Sequence, residues 1–156
     1  MTCSYLGHQY TKQLFEVIGA SVRESLFVSH NGISACYFLD EYKKEFGLFI
    51  ADKALKNPDI ILEWAKNLKS ATDHVLNLIK DLKTKEATLV NFELFIAGMY
   101  ESGVYHRLIK VVVDYLPEDI LKKYLDVMSE ARVYAEPVYE ETEKYMKYFA
   151  GEIRKK

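Results

Sequence analysis

The sequence predicts a mainly α protein, an antiparallel bundle of five to seven helices with a short N-terminal β-hairpin. Only 3 Pro and 7 Gly punctuate 156 residues, whereas an all-β domain needs a turn signal about every 8–12 residues. From about residue 40 onward, apolar residues recur at steps of three and four, the helical period. Near the start, one Asn-Gly pair stands between two β-prone runs. With 49% hydrophobic residues, a chain of this length can bury roughly two-thirds of its unfolded surface. One domain is therefore expected over 1–156, with the hairpin at about 22–39 and the bundle at about 40–153.

The elements follow in order. Tyr10, Leu14, Phe15 and Ile18 have helical spacing and Gly19 is a suitable stop, so 9–19 reads as a short helix. Residues 22–29 and 33–39 flank Asn31-Gly32, whose residues suit the positive φ angles of a type I′ turn. Asp40 can cap a helix to about Lys56 with Tyr42, Phe46, Phe49, Ile50 and Leu55 as its apolar stripe, before Asn57-Pro58 breaks it. Asp59 starts the clearest element, a helix of about 25 residues carrying Ile61, Trp64, Leu68, Ala71, Val75, Leu78 and Leu82. The next helix, Thr88 to about Glu101, has apolar residues on most faces and is expected to be central. Ser102-Gly103 reads as a kink or a break before Val104 to Tyr115. Leu116-Pro117 ends that segment, and Pro117 opens a helix to about Met128. A last segment from Ser129 carries Tyr134, Val138, Tyr145 and Phe149, with a kink or restart at Pro137.

Charge and composition exclude several classes of function. Lys and Arg number 21 against 23 Asp and Glu, for a formal charge of −2, which is unlike a nucleic-acid-binding surface. The greasiest stretch, Leu108 to Leu116, is interrupted by Lys110 and Asp114 and falls short of the roughly 20 apolar residues of a membrane span. The first residues have no basic n-region or apolar core of a secretory signal, so a cytoplasmic location is expected. Cys3 and Cys36 are too few for a disulfide scaffold or a four-thiolate site. No glycine-rich turn ends in Lys-Ser/Thr, and Gly32-Ile33-Ser34-Ala35-Cys36 lacks the closing glycine of a nucleophile elbow. Ala71 and Gly103 stand three residues before His74 and His106, where a di-iron bundle needs glutamate. No cofactor or metal is expected.

Three groups of residues could carry a function. Tyr100, Tyr105, His106 and Arg107 follow the expected break and could converge on an anionic ligand or a partner, Arg107 supplying a fork of donors. Arg132 and Glu136 are four apart, where a helix lets them pair on its surface. Arg23 and His30, seven positions apart, loosely resemble the Arg-x4-6-His motif of HEPN ribonucleases, although that family sets its motif on a helix and this one falls on the expected hairpin. Eight of twelve tyrosines lie at or after Tyr100, a composition suited to rings at a bundle's boundary or at a protein interface.

The order of several segments resembles the helical part of phosphoenolpyruvate-utilizing enzymes, proteins related to phosphoenolpyruvate synthase and pyruvate phosphate dikinase. The segments are His30-Asn31-Gly32, Tyr37-Phe38-Leu39-Asp40-Glu41, Asn57-Pro58-Asp59, Tyr105-His106-Arg107 and Ser129-Glu130-Ala131-Arg132-Val133-Tyr134-Ala135-Glu136. The resemblance covers about residues 22–153. That family moves phosphate on a histidine of a swivelling domain, and Ser29-His30-Asn31-Gly32 does not match its Thr-x-His motif. The resemblance implies a helical scaffold without the catalytic modules, working with a protein partner that carries them. A non-catalytic scaffold or interaction domain, or a homo-oligomer, is thus the first expectation. An anion- or small-molecule-binding bundle with a pocket near Tyr100–Arg107 is the second, and a ribonuclease using Arg23 and His30 the third.

Overall fold

Long apolar stripes give four long helices among the residues that the structure, a computed structural model, describes: 16, 17, 19, 26–30, 33–37 and 40–155. Strand β1 (Leu26–His30) pairs antiparallel with β2 (Ile33–Tyr37), Leu26 opposite Tyr37 and His30 opposite Ile33. The Asn31-Gly32 turn and most of the helix expected at 9–19 lie outside the described residues. Gly19, the expected stop, has φ of 68°, the left-handed conformation that glycine adopts without strain.

The helices are α1 (Asp40–Lys56), α2 (Ile60–Leu82), α3 (Leu89–Tyr115) and α4 (Glu118–Arg154). At 1.5 Å per residue they measure about 25, 35, 40 and 55 Å. Asn57-Pro58 separates α1 from α2, and Leu116-Pro117 separates α3 from α4, as their sequences require. At the start of α3, the Thr88 hydroxyl accepts a hydrogen bond from the Asn91 backbone N–H at 3.2 Å, satisfying one of the helix's four orphan donors.

Two of the expected helix boundaries are absent. Ser102-Gly103 lies inside α3 and Ser129 inside α4, so four segments are two helices. Phase explains both cases. In α4, Met128, Ala131, Ala135, Val138 and Tyr145 are buried in one 3-4-3-7 progression that crosses Ser129 without a slip. In α3, Phe95, Gly98, Ser102, Ile109 and Val112 continue one stripe through the supposed break, and Leu116 extends it just past the helix end. Small residues there permit close approach: a methyl at Gly98 would stand 2.9 Å from Leu78 Cδ2 on α2. Pro137 does not end α4 either. It is exposed, so the carbonyl that loses its i+4 donor faces water.

The core has two compartments. The lower one joins Ile50, Ala51 and Ala54 of α1, Ile61, Trp64 and Leu68 of α2, Val104 to Val112 of α3, and Met128, Ala131 and Ala135 of α4. The upper one joins Val75, Ile79 and Leu82 with Phe95, Val138 and Tyr145. Phe92 stacks on Phe149 at 4.7 Å and Phe95 meets Tyr145 at 4.6 Å, fixing the first half of α3 to the second half of α4. Helix α2 makes extensive contact with both α3 and α4, which touch each other only lightly; α1 leans on α3. The buried side of α1 is Gly47, Ile50, Ala51 and Ala54, while the expected stripe members Phe49 and Leu55 are exposed. Small residues again explain the difference, because the Tyr115 ring occupies the space a methyl at Gly47 would need. The first turns of α3 are not central as expected: Phe95 enters the upper core, but Leu89, Val90 and Leu94 are exposed.

Polar ties close the outside of the α2–α4 seam. The Tyr134 hydroxyl donates to Asp73 Oδ1 at 2.6 Å, Lys69 pairs with Glu130 at 2.6 Å, and Lys83 with Glu141 at 3.1 Å. Hydrogen bonds from Lys144 and Lys83 hold the Glu141 carboxyl below its usual range.

Two substitutions test this packing by urea denaturation. Thr88→Ala should cost about 1 kcal/mol, because the cap bond is lost and its donor left without a partner. Tyr145 is 1% exposed and its hydroxyl makes no hydrogen bond among the described residues. Tyr145→Phe should therefore leave stability unchanged or raise it by up to about 1 kcal/mol; a loss larger than that would show a bond the geometry lacks.

Candidate functional site

Eight consecutive helical residues cannot face one point, since each turns about 100° from the last. Because α3 is unbroken, the residues from Tyr100 to Arg107 are distributed around it. Tyr105 lies on the α2 side, His106 faces α4, and Arg107 is exposed. Tyr100 is half-buried, and that burial pushes its phenol up. Among the described residues the expected convergence of Tyr100, His106, Arg107 and Arg132 on one pocket is not seen: Tyr105 and His106 fall at two different seams, Arg132 acts on His106, and Arg107 is exposed.

The first seam holds a cavity of about 420 Å³ between α2 and the first half of α3. Leu78, Leu94, Ala97, Gly98 and Val104 line it, and Val17 closes one side. Its rim is polar. His74 Nε2 stands 4.0 Å from Glu101 Oε2, both well exposed. Burial raises the Tyr105 phenol, with further upward pushes from Glu101 and Glu63 and an opposing hydrogen bond from Asn67. The arrangement suits an apolar group inserted between two helices, with donors and acceptors at one end.

The second seam lies between α3 and α4, where a cavity of about 290 Å³ is lined by Val113, Leu125, Met128, Ser129, Arg132, Val133 and Glu136. Arg132 and Glu136 come together here, but not as the expected ion pair. The reason is direction. Helical side chains lean toward the N-terminus, so an acid reaches a base four residues later more easily than the reverse. Among the described residues the five ion pairs of that spacing, Asp52–Lys56, Asp81–Lys85, Glu118–Lys122, Glu140–Lys144 and Glu143–Lys147, all put the acid first. Arg132 precedes Glu136, and no ion pair joins them among the described residues.

His106 lies on α3 about two turns before Val113. Its ring meets Tyr139 edge-on at 5.9 Å, with the Tyr139 hydroxyl 3.4 Å from Nε2. Burial lowers its pKa, and the positive charges of Arg132 and Lys110 lower it further. Compared with protein-family models, with curated proteins and with solved structures, the chain matches none. Among the described residues, no three or more His, Cys, Asp or Glu are grouped so that they could hold a metal ion, and no helix is long and apolar enough to cross a membrane. Arg23 lies outside the described residues, and His30 is described only as the last residue of β1.

Sequence reasoning missed Lys110, Ser129 and Tyr139 at the α3–α4 seam and His74 and Glu101 at the α2–α3 rim. The signal was available in part. Once α3 is read as one helix, residues 106, 110 and 113 share a face at steps of four and three.

The lowered pKa of His106 has a consequence for stability. The neutral ring is favored in the native state, so its full contribution is present above the ordinary value near 6.5 and is lost as pH falls through the lower native value. Denaturation midpoints of the wild type should therefore fall between about pH 7 and 5 more steeply than those of His106→Gln. Parallel profiles would remove the electrostatic account of this seam.

Proposed function

We propose that the chain is a non-catalytic helical scaffold that binds a protein partner through the first turns of α3. The observation that carries this reading is the apolar surface at that end. Leu89 is 73% exposed, Val90 66% and Leu94 50%, and Leu94 and Ala97 continue into the cavity that Leu78 and Val17 line. Val90, Leu94 and Ala97 share one helix face, so the surface is a stripe leading into a groove, the form in which a helical domain receives an apolar anchor. Single exposed leucines are ordinary on a protein surface; a stripe contiguous with an apolar cavity is the kind of patch that marks an interaction site. The polar rim of His74, Glu101 and Tyr105 would set the orientation of whatever enters.

The partner class comes from the resemblance of short motifs to phosphoenolpyruvate-utilizing enzymes: a protein that carries phosphotransfer modules, to which this domain is an accessory. A second copy of the chain is the competing occupant. Both possibilities are open to one experiment. Leu89→Glu combined with Val90→Glu changes two exposed side chains and should leave helical circular dichroism and the thermal midpoint nearly unchanged. Affinity for a purified phosphoenolpyruvate-utilizing enzyme from the same source should fall about 30-fold or more, the loss expected when apolar anchors are replaced by charge. Unchanged affinity would refute the surface, and a dimer dissociated by the same variant would assign it to self-association.

A further inference from the structure

The α3–α4 seam carries an arrangement that the partner surface leaves unused. Arg132 and Glu136 line the same cavity and make no ion pair or hydrogen bond with any described residue. Lys110 and Arg107, on α3, are likewise without such partners. Eight described lysines pair with carboxylates three or four residues away or across a seam, whereas Lys44, Lys66, Lys80 and Lys123 do not, so it is the shared cavity and not the lack of a partner that sets Arg132 and Glu136 apart. Arg132 and Glu136 thus put opposite charges on the lining of one cavity, with no ion pair between them. Around them the walls are apolar: Val113 from α3, and Leu125, Met128 and Val133 from α4.

Charge and shape together restrict what would fit. A simple anion would gain Arg132 but meet Glu136, and a simple cation would meet the reverse. An uncharged apolar molecule would leave both groups as they are. A small zwitterion with an apolar body satisfies each element: its carboxylate takes the guanidinium fork of Arg132, its ammonium takes Glu136, and its side chain lies against the apolar wall. The Ser129 hydroxyl, also on the lining, can donate to the carboxylate or accept from the ammonium. Lys110 adds to the positive end, since its charge and that of Arg132 both act on His106. The geometry points to a binding site for a small apolar amino acid between α3 and α4, with Arg132 and Glu136 as its two charged contacts.

The site is separate from the α3 surface at Leu89–Leu94, so either can fail while the other stands. Titration of the full chain with leucine, followed by backbone amide and histidine ring NMR, tests it. Leucine should move the Val113, Ser129 and Val133 amides saturably with a dissociation constant in the millimolar range or tighter, on the order of 1 mM. The bound carboxylate should also raise the His106 titration, identified by its loss in His106→Gln, because it offsets the nearby positive charge. Arg132→Gln and Glu136→Gln, both exposed positions, should each weaken binding about tenfold while the helical spectrum is kept. So should the half-ligands 4-methylpentanoate and 3-methylbutylamine. The inference is overturned if leucine does not saturate, or if Arg132→Gln binds as the wild type does. It is equally overturned if inorganic phosphate moves the same amides as tightly as leucine, which would reduce the seam to a general anion patch.

Discussion

Helix α2 has to be buried on two sides, and that constraint organizes the rest of the molecule. Ile61, Trp64, Leu68, Val75, Ile79 and Leu82 are all 2% exposed or less, a wider stripe than one neighboring helix could cover. Helices α3 and α4 therefore both settle on α2 and meet each other less extensively, chiefly through their aromatic side chains. The three seams acquire different chemistry as a result. The α2–α3 seam is drawn tight at Gly98 and leaves an apolar cavity above it, and the α2–α4 seam is tied on its outside by Tyr134–Asp73, Lys69–Glu130 and Lys83–Glu141. The α3–α4 seam, which bears the least packing, holds the cavity lined by Arg132 and Glu136.

Much of this fold was legible where large apolar side chains set the phase. The α2 stripe was read from Ile61 to Leu82 with Leu78 as the one member only half-buried, and the Pro58 and Pro117 boundaries were read from the chemistry of proline itself. Legibility failed where small residues act. Ser102-Gly103 and Ser129 look like stops because serine and glycine favor caps and turns, yet inside a continuous stripe they permit contact instead. For the same reason Gly47, Ala51 and Ala54 were passed over on α1 in favor of Phe49 and Leu55. Pro137 is a further case, since the cost of a missing donor depends on which side of the helix faces water, and the local sequence does not state that.

The candidate site was legible in its residues and not in its grouping. Tyr100 through Arg107 were noticed because they are adjacent in sequence, but adjacency on a helix separates side chains instead of gathering them. Tyr105 and His106 accordingly serve opposite seams. Arg132 and Glu136 were read as partners from spacing alone, and the direction of the spacing is what keeps them apart.

The ties that hold α4 also bear on the order in which the chain assembles. Helices α2 and α3 are joined by a connection of only six residues, 83–88, so their contacts close a short loop. The Lys69–Glu130 and Tyr134–Asp73 contacts each span 61 positions, and Tyr148 reaches the Lys83 carbonyl across 65. Closing loops of that length costs more entropy before any contact repays it. Docking α4 on α2 therefore closes a longer loop than forming the α2–α3 pair, and the cavity containing Arg132 and Glu136 exists only once α4 lies beside α3.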